Sequence, residues 1–129
     1  MKLIQKAVIK QGDKYLIGLR SENAKYFPLH WDFPGGKLEP GEDPFDGIVR
    51  EVKEETNLDV RALAVIGVYQ FDLDGVGEYT HQFTIYSTDI IGGELQLSDE
   101  HLEHRWATKE EIMALPVEPY FEPFFHEHS

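Results

Sequence analysis

The sequence predicts an α+β protein, because strand patterns outnumber helix patterns and occur on both sides of one long amphipathic helix. The 129 residues have the length of one domain, and we assign residues 1–129 to a single domain. With 41% hydrophobic and 28% charged residues, the composition is typical of a globular chain with its own core. The mixed order of strands and helices favours an α+β fold or an α/β sandwich.

The N-terminal residues hold the first strand patterns. Apolar residues alternate or cluster in Leu3–Lys10 and again in Tyr15–Arg20, on either side of residues 11–14. Two such segments around a glycine-containing turn predict a β-hairpin. Residues 21–30 are polar and irregular, whereas residues 31–37 are rich in glycine and proline. The latter segment therefore indicates a tight turn or a functional loop.

The clearest helix pattern follows this loop. Asp43 suits the N-cap position, and Pro44 suits the first helical position, where proline is tolerated. Apolar residues then recur every three or four positions through Thr56, which predicts an amphipathic helix over Asp43–Thr56. Asn57 comes next, and asparagine is second only to glycine in the left-handed conformation that ends many helices.

Several shorter elements are predicted after this helix. Strand patterns cover Val60–Asp72 and Tyr79–Asp89, with shorter ones near Glu94–Leu97 and at Arg105–Ala107. Residues 108–111 have the sequence of a capping box, which predicts the start of a second helix. A proline at position 116 stops that helix. The aromatic tail beyond it is expected to dock on the domain.

Charge and cysteine content exclude several classes of protein. Acidic residues outnumber basic ones by 24 to 12, so the net charge is −12. A nucleic-acid polymer is not an expected partner, because such binding relies on basic patches. Cysteine is absent, which excludes disulfides and thiolate metal sites. No apolar run has the length of a membrane span, and no export signal is visible, so we expect a cytoplasmic protein without a membrane partner.

Three glutamates lie on one side of the predicted helix. With Phe45 at zero, Glu51, Glu54 and Glu55 fall at about 240°, 180° and 280°, beside the apolar face. Gly47 lies on the same stripe, and a glycine inside a helix indicates close approach of another group. Carboxylates at this spacing suit Mg²⁺, although a solvated acidic face is the favoured explanation for the three glutamates taken alone.

A longer pattern around these glutamates favours the cation site. The sequence has Gly36, five residues, Glu42, seven residues, and then Arg50-Glu51-Val52-Lys53-Glu54-Glu55-Thr56-Asn57-Leu58. This spacing resembles the Nudix box, G-x5-E-x7-R-E-U-x-E-E-x-G-U, in which U is aliphatic. Every fixed position matches except the last glycine, which is Asn57 here. The preceding Trp-Asp-Phe-Pro-Gly-Gly-Lys segment and the Arg-Trp-Ala segment near the C-terminus are also similar to this family.

The resemblance implies a Nudix fold, with a mixed sheet between helices in α/β/α layers. It also implies hydrolysis of a nucleoside diphosphate linked to another group, with Mg²⁺ or Mn²⁺ as cofactor. The implied metal ligands are the carbonyl of Gly35 and the side chains of Glu51, Glu54 and Glu55. Such cations neutralise phosphate oxygens and activate the attacking water, which an acidic protein needs in order to bind a pyrophosphate.

Other implied roles concern residues outside the glutamate stripe. Arg50, at about 140° on the helix, is expected to point away from the glutamate stripe, so it need not touch substrate. The resemblance implies that it pairs with Glu42 and braces the loop against the helix. Arg20 and Lys37 are expected to bind the substrate, as in MutT-like members. The general base is left open among a box glutamate and the acids and histidines of the segment 98–104, where Glu103 is the first choice and Glu100 the second.

The substrate is the part of the function that the sequence determines least. MutT-like features favour a nucleoside triphosphate, including oxidised forms, ahead of a nucleotide sugar or ADP-ribose and of a dinucleoside polyphosphate. A non-catalytic nucleotide-sensing module is the alternative of another class, but such modules often lose box glutamates, and this chain has all of them. Both a monomer and a homodimer are compatible with the sequence.

Overall fold

The computed structural model describes residues 1–128, which form eight strands and three helices. In chain order the elements are β1 (Lys2–Val8), β2 (Lys10–Gln11), β3 (Lys14–Arg20), β4 (Trp31–Asp32), β5 (Gly35–Lys37), α1 (Pro44–Thr56), β6 (Asp59–Phe71), β7 (His81–Gly92), β8 (His101–Thr108), α2 (Lys109–Met113) and α3 (Phe121–Glu127). No helix among the described residues is long and apolar enough to cross a membrane.

The strands form two four-stranded sheets. The first has the order β5-β1-β7-β6, and it is mixed because β1 and β7 run parallel while the other pairs are antiparallel. The second contains β2, β3 and β4, with β8 paired to the other edge of β3. The predicted α+β architecture with a mixed sheet is confirmed.

The predicted N-terminal hairpin is present only in part. The turn at residues 11–14 is formed, and β2 and β3 pair on either side of it. β1, however, pairs with β5 and β7 in the other sheet, so the segment Leu3–Lys10 does not form one hairpin arm. The physical reason is burial, because residues 5–9 are buried in the structure. Pairing with the long parallel strand β7 covers them, whereas a two-stranded hairpin would not.

Helices cover both faces of the sheets. Alternate strand residues point to opposite sides, as the two-residue period of a strand requires. One set packs with α3 in a core rich in aromatic rings, with Phe33 near its centre. The other set packs under α1, against the fully buried Ile48 and Val52. This arrangement confirms the α/β/α layers and the docking of the aromatic tail.

Helix α1 has the boundaries that the sequence predicts. The Asp43 carboxylate accepts from the backbone N–H groups of Phe45 and Asp46, and Asn57 ends the helix in the left-handed conformation with φ 64°. The predicted close approach at Gly47 is also present, since an added Cβ there would lie 2.8 Å from the side-chain oxygen of Gln5. The predicted capping box of α2 is confirmed as well.

Two strand predictions need correction. The segment Glu94–Leu97 is not a strand, because the backbone N–H of Gln96 donates to the carbonyl of Thr56 at the end of α1 instead of to a neighbouring strand. The strand expected at Arg105–Ala107 is longer than predicted and covers all of β8. Its early residues are polar, which hides their pairing with β3 from a hydrophobicity pattern.

The aromatic core is expected to contribute much of the stability. Phe33 is fully buried among four aromatic rings of the C-terminal segment, so Phe33→Ala should lower the free energy of unfolding by about 3–5 kcal/mol. Phe45→Ala is the matched control, because that ring is 43% exposed, and it should cost clearly less. Denaturant unfolding measures both variants, and equal losses would contradict this account of the core.

Candidate functional site

A cavity of about 750 Å³ opens between α1, the sheets and the loops beside them. Its acidic lining residues are Glu39, Glu51, Glu54, Glu55, Asp99, Glu100 and Glu118, and five of the seven come from α1 and from the loop before β8. Its apolar and aromatic lining residues come from β1, β7 and adjacent loops, and they are Ile4, Tyr26, Leu73 and Phe83. The cavity therefore offers a highly charged wall and a flat apolar wall to one ligand.

The three glutamates of α1 differ in exposure although they share this cavity. Glu54 is exposed, whereas the Glu51 side chain is largely buried and packs against Gly36, where an added Cβ would overlap the carboxylate. Glu55 is buried and accepts a hydrogen bond of 3.1 Å from the backbone N–H of Gly35. The absence of a side chain at Gly36 thus lets β5 approach the Glu51 carboxylate closely, and at Gly35 it lets β5 approach the backbone of β1.

Burial changes the acid strength of these carboxyl groups. Desolvation raises the pKa of Glu51. Desolvation, together with the negative charge of Asp32, raises the pKa of Glu55 to about 8. Both shifts show that the protein surroundings alone do not compensate this negative charge, and that a nearby cation would stabilise the ionised forms.

Arg50 is the cation that the protein itself supplies to this region. Its guanidinium makes a two-pronged contact with Glu42 at 2.7 and 3.0 Å, as expected from the sequence. It also contacts Glu51 and Glu54, each at 3.1 Å. The expectation that Arg50 points away from the glutamate stripe is therefore wrong. The arginine side chain is long enough to reach carboxylates one residue and one turn farther along the helix.

A second charged group lies buried beside the acidic wall. The Asp32 carboxylate, 1% exposed, accepts hydrogen bonds from Lys6 at 3.1 Å and Arg20 at 3.0 Å. Its other oxygen lies 3.0 Å from Nε2 of His101. These cationic partners outweigh desolvation and hold the pKa of Asp32 well below its usual range. Asp32 thus fixes three side chains at the cavity.

Glu118 is the least satisfied member of this group. Its carboxylate is buried and lies 3.5 Å from Nζ of Lys6 and 3.9 Å from Nε of Arg20. Its Oε1 atom has no hydrogen-bond partner within the described residues. Burial raises the pKa of this carboxyl group against the effect of Lys6. The position is set by backbone pairing of this segment with Trp31.

The sequence analysis missed this buried charge cluster. One signal was present, because Lys6 lies between Ile4 and Val8 in a strand with a two-residue period and so points inward with them. A lysine on an inward face needs a buried carboxylate as partner. The sequence offers no comparable signal for Glu118, because it lies in an irregular segment and reaches Lys6 only through the tertiary fold.

Glu103 and Glu100, the two acids proposed for the general base, lie at different positions relative to the cavity. Glu103, the first choice, does not line the cavity, and its carboxylate pairs with Arg105 at 3.1 Å on the surface. The physical reason is a β-bulge at the start of β8, where the register with β3 shifts by one residue between His101 and Glu103. Regular alternation would place both side chains on one face, but His101 is buried and Glu103 is exposed. Glu100, the second choice, lines the cavity together with Asp99. The loop before β8 is therefore the part that brings acids to the site.

The remaining site residues predicted from the sequence also lie at the cavity. Arg20 and Lys37, expected to bind substrate, are both lining residues, and so is Gly35. Arg20 is partly engaged, since its Nε donates to the carbonyl of Tyr26 at 3.1 Å and its Nη1 donates to Asp32. Lys37 is exposed at the end of β5. Their presence makes one side of the cavity suitable for an anionic ligand.

The donor set fits a hard divalent cation. All the acidic lining groups are oxygen donors, and the space beside Gly36 accommodates the Glu51 carboxylate. Among residues 1–128 no three acidic or histidine side chains are already close enough together to hold one ion. The ion pairs of Glu51 and Glu54 with Arg50 account for part of this, and the exposed Glu54 can turn toward an ion.

Comparisons with known proteins agree with this geometry. The sequence profile of the family described as NUDIX domain matches residues 6–127. The chain is 32% identical over 89 residues to the asymmetrical bis(5'-nucleosyl)-tetraphosphatase of Mus musculus, a match that covers 67% of this chain but only 60% of that protein. It is 29% identical to the CTP pyrophosphohydrolase of Escherichia coli K12, with 92% of this chain and 86% of that protein covered.

A solved structure covers almost the whole fold. The MutT protein from Methanosarcina mazei Go1 superposes with a TM-score of 0.79 at 29% sequence identity. The superposition covers 99% of this chain and 95% of the other.

The buried pairs of Asp32 are expected to govern acid stability. Asp32→Asn leaves Lys6 and Arg20 with only the more distant Glu118 as a buried counter-charge and should lower the free energy of unfolding by about 3–5 kcal/mol near pH 7. Because the folded-state pKa of Asp32 lies below the unfolded value of 3.8, its contribution is complete above about pH 5 and is lost as the pH falls further. Urea unfolding from pH 7 to pH 2 should show that the difference in the free energy of unfolding between wild type and variant becomes smaller as the pH falls. Asp13→Asn is the control, because Asp13 is exposed. A difference in unfolding free energy between wild type and Asp32→Asn that does not change with pH would contradict the prediction.

Proposed function

The chain belongs to the Nudix family, and on that premise we propose that it is a pyrophosphohydrolase that uses a divalent cation, most simply Mg²⁺, to cleave nucleoside triphosphates to the monophosphate and pyrophosphate. The observation that carries the proposal is the convergence of Glu51, Glu54 and Glu55 on one cavity that also contains basic side chains. The seven carboxylates that line this cavity repel a pyrophosphate unless cations reverse the local charge.

The cation supplies charge neutralisation for phosphate oxygens and activation of water as the nucleophile. We assign its binding to Glu51, Glu54, Glu55 and the carbonyl of Gly35. Glu55 is held by the Gly35 backbone, and Glu51 is held against Gly36, so two of the donors are fixed before any ligand binds. Such preorganisation lowers the cost of reaching the reactive arrangement.

Arg50 and the basic lining residues have supporting roles. Arg50 ties α1 to the loop through Glu42 and balances the charges of Glu51 and Glu54 in the absence of cations. Lys37 and Arg20 are suited to phosphate or ribose oxygens, because both carry hydrogen-bond donors with positive charge. We therefore keep the assignment of Arg20 and Lys37 to substrate binding, and we place Arg50 in support of the glutamates.

The proton acceptor is assigned to the loop before β8. Asp99 and Glu100 border a smaller space of about 210 Å³ together with Glu54 and Glu55. A carboxylate in this position has access to a water molecule between the loop and the helix. We propose Glu100 as the general base in place of Glu103, whose carboxylate lies outside the cavity.

The apolar wall accounts for the nucleoside part of the substrate. Ile4, Leu73 and Phe83 offer flat apolar surface for a nucleobase, with the Tyr26 ring beside them. The long match to a CTP pyrophosphohydrolase supports a triphosphate over the other candidates, because the match to the tetraphosphatase covers much less of that protein. A turnover screen of nucleoside triphosphates, ADP-ribose, nucleotide sugars and dinucleoside polyphosphates, with identification of the phosphorus products, distinguishes these classes.

Hydrolysis is expected to require a divalent cation. Exhaustive chelation followed by metal-free dialysis should abolish turnover, and adding Mg²⁺ back should restore it, because the carboxylates that line the cavity outnumber its lysine and arginine side chains and repel a pyrophosphate. Product release measured by phosphorus NMR checks both steps. Full activity of the metal-free protein would contradict the site assignment, whereas absence of turnover on every tested nucleotide with Mg²⁺ would favour a nucleotide-sensing module.

Individual glutamates are expected to be essential for turnover. Glu54→Gln and Glu55→Gln should each lower kcat by about 10²–10³-fold, the effect typical of removing one electrostatic contact to the transition state. Asp46→Asn is the control on the same helix, since that residue is exposed and outside the cavity. Unfolding measurements should show that all three variants stay folded. An unchanged kcat in both glutamate variants would reject their role.

A further inference from the structure

Asn57 occupies the position where the Nudix pattern has glycine, and its side chain makes a contact that glycine does not make. The backbone has the left-handed conformation that glycine favours, and its N–H donates to the carbonyl of Lys53 at 3.0 Å. In addition, the Asn57 amide group donates from Nδ2 to the backbone carbonyl of Glu94 at 3.0 Å. The residue thus ends the helix and also binds a distant part of the chain.

The segment that Asn57 binds has other contacts with the same helix end. The backbone N–H of Gln96 donates to the carbonyl of Thr56 at 2.9 Å. Gly93, with φ 83°, lies so close that an added Cβ would overlap the carbonyl of Asn57. Residues 93–96 are irregular and have no strand partner, so these contacts, together with the Asn57 amide, hold the segment in place.

This segment leads directly to the acids of the cavity. Asp99 and Glu100 follow Gln96 within four residues and line the same spaces as the α1 glutamates. On its other side the loop ends at His101, which is buried in β8 and lies 3.0 Å from Asp32. A short loop fixed at both ends has few conformations available, so loosening one end increases the freedom of its acids.

We propose that Asn57 is a positioning residue whose side-chain amide holds residues 93–96 on the end of α1 and thereby holds Asp99 and Glu100 at the cavity. The role in catalysis rests on the function proposed above, in which Glu100 accepts the proton. The contact joins the helix that carries the metal-binding glutamates to the loop that carries the base. The Asn57 side chain is therefore one of the contacts that set the relative position of these two groups of carboxylates.

Asn57→Gly is a selective probe, because glycine keeps the left-handed helix end and removes only the amide tether. One exposed hydrogen bond changes an equilibrium by a factor of about 2 to 10. Backbone amides of residues 93–100 should therefore exchange with deuterium about 2- to 10-fold faster in the variant, while those of α1 are unchanged. With saturating Mg²⁺, kcat should fall by a similar factor, and the Mg²⁺ concentration for half-maximal turnover should not change.

Two further variants separate the tether from general effects on the helix end. Asn57→Asp keeps a side chain that tolerates the left-handed conformation, but its ionised carboxylate has no N–H for the Glu94 carbonyl, so it should reproduce the glycine result. Asp59→Asn removes an exposed ion pair with Lys53 at the same helix end and should leave exchange and kcat unchanged.

The outcomes that overturn the proposal are distinct. If the backbone amides of residues 93–100 exchange at the wild-type rate in Asn57→Gly or in Asn57→Asp, the Asn57 amide does not hold the segment. Faster exchange with unchanged kcat would overturn the positioning role in catalysis. If the wild-type protein hydrolyses no nucleotide, the proposed function fails, and the exchange experiment still decides whether the tether exists.

Discussion

The concentration of negative charge on one side of α1 is the constraint on which the site depends. Glu51, Glu54 and Glu55 share a cavity in a protein of net charge −12, and like charges at helical spacing repel one another. Arg50 balances this charge within the protein, at 3.1 Å from two of the three carboxylates. In the proposed function a divalent cation would replace part of that balance and would add affinity for phosphate, so charge compensation would link the stability of the helix to the proposed chemistry.

A second charge system lies in the interior and connects the sheets to the cavity. Asp32 joins β4 to β1 and β3 through Lys6 and Arg20, and it joins β8 through His101. Buried ion pairs rarely add much stability in comparison with apolar packing, but their partners cannot be removed singly without a large cost. The cluster therefore fixes which strands meet at the cavity, and the aromatic core around Phe33 supplies most of the packing behind it.

The sequence was sufficient for the parts of the structure that depend on local patterns. The caps of α1 and α2, the left-handed Asn57 and the glutamate stripe all follow from residue type and spacing, and each is present. The pairing of β1 with β7 was not predictable, because a parallel partner far along the chain leaves no local signal. The position of Glu103 outside the cavity was not predictable for a related reason, since the register shift at the start of β8 decides which acid faces the cavity.

The account is tested most directly by locating the cation. A crystal of the protein with Mn²⁺ and a non-hydrolysable nucleoside triphosphate analogue, measured at the manganese absorption edge, shows the ion by its anomalous scattering. We predict that the signal lies within coordination distance of carboxylate oxygens from at least two of Glu51, Glu54 and Glu55, on the cavity side of α1. Manganese bound elsewhere, with these carboxylates still paired to Arg50 beside a bound nucleotide, would contradict the central claim.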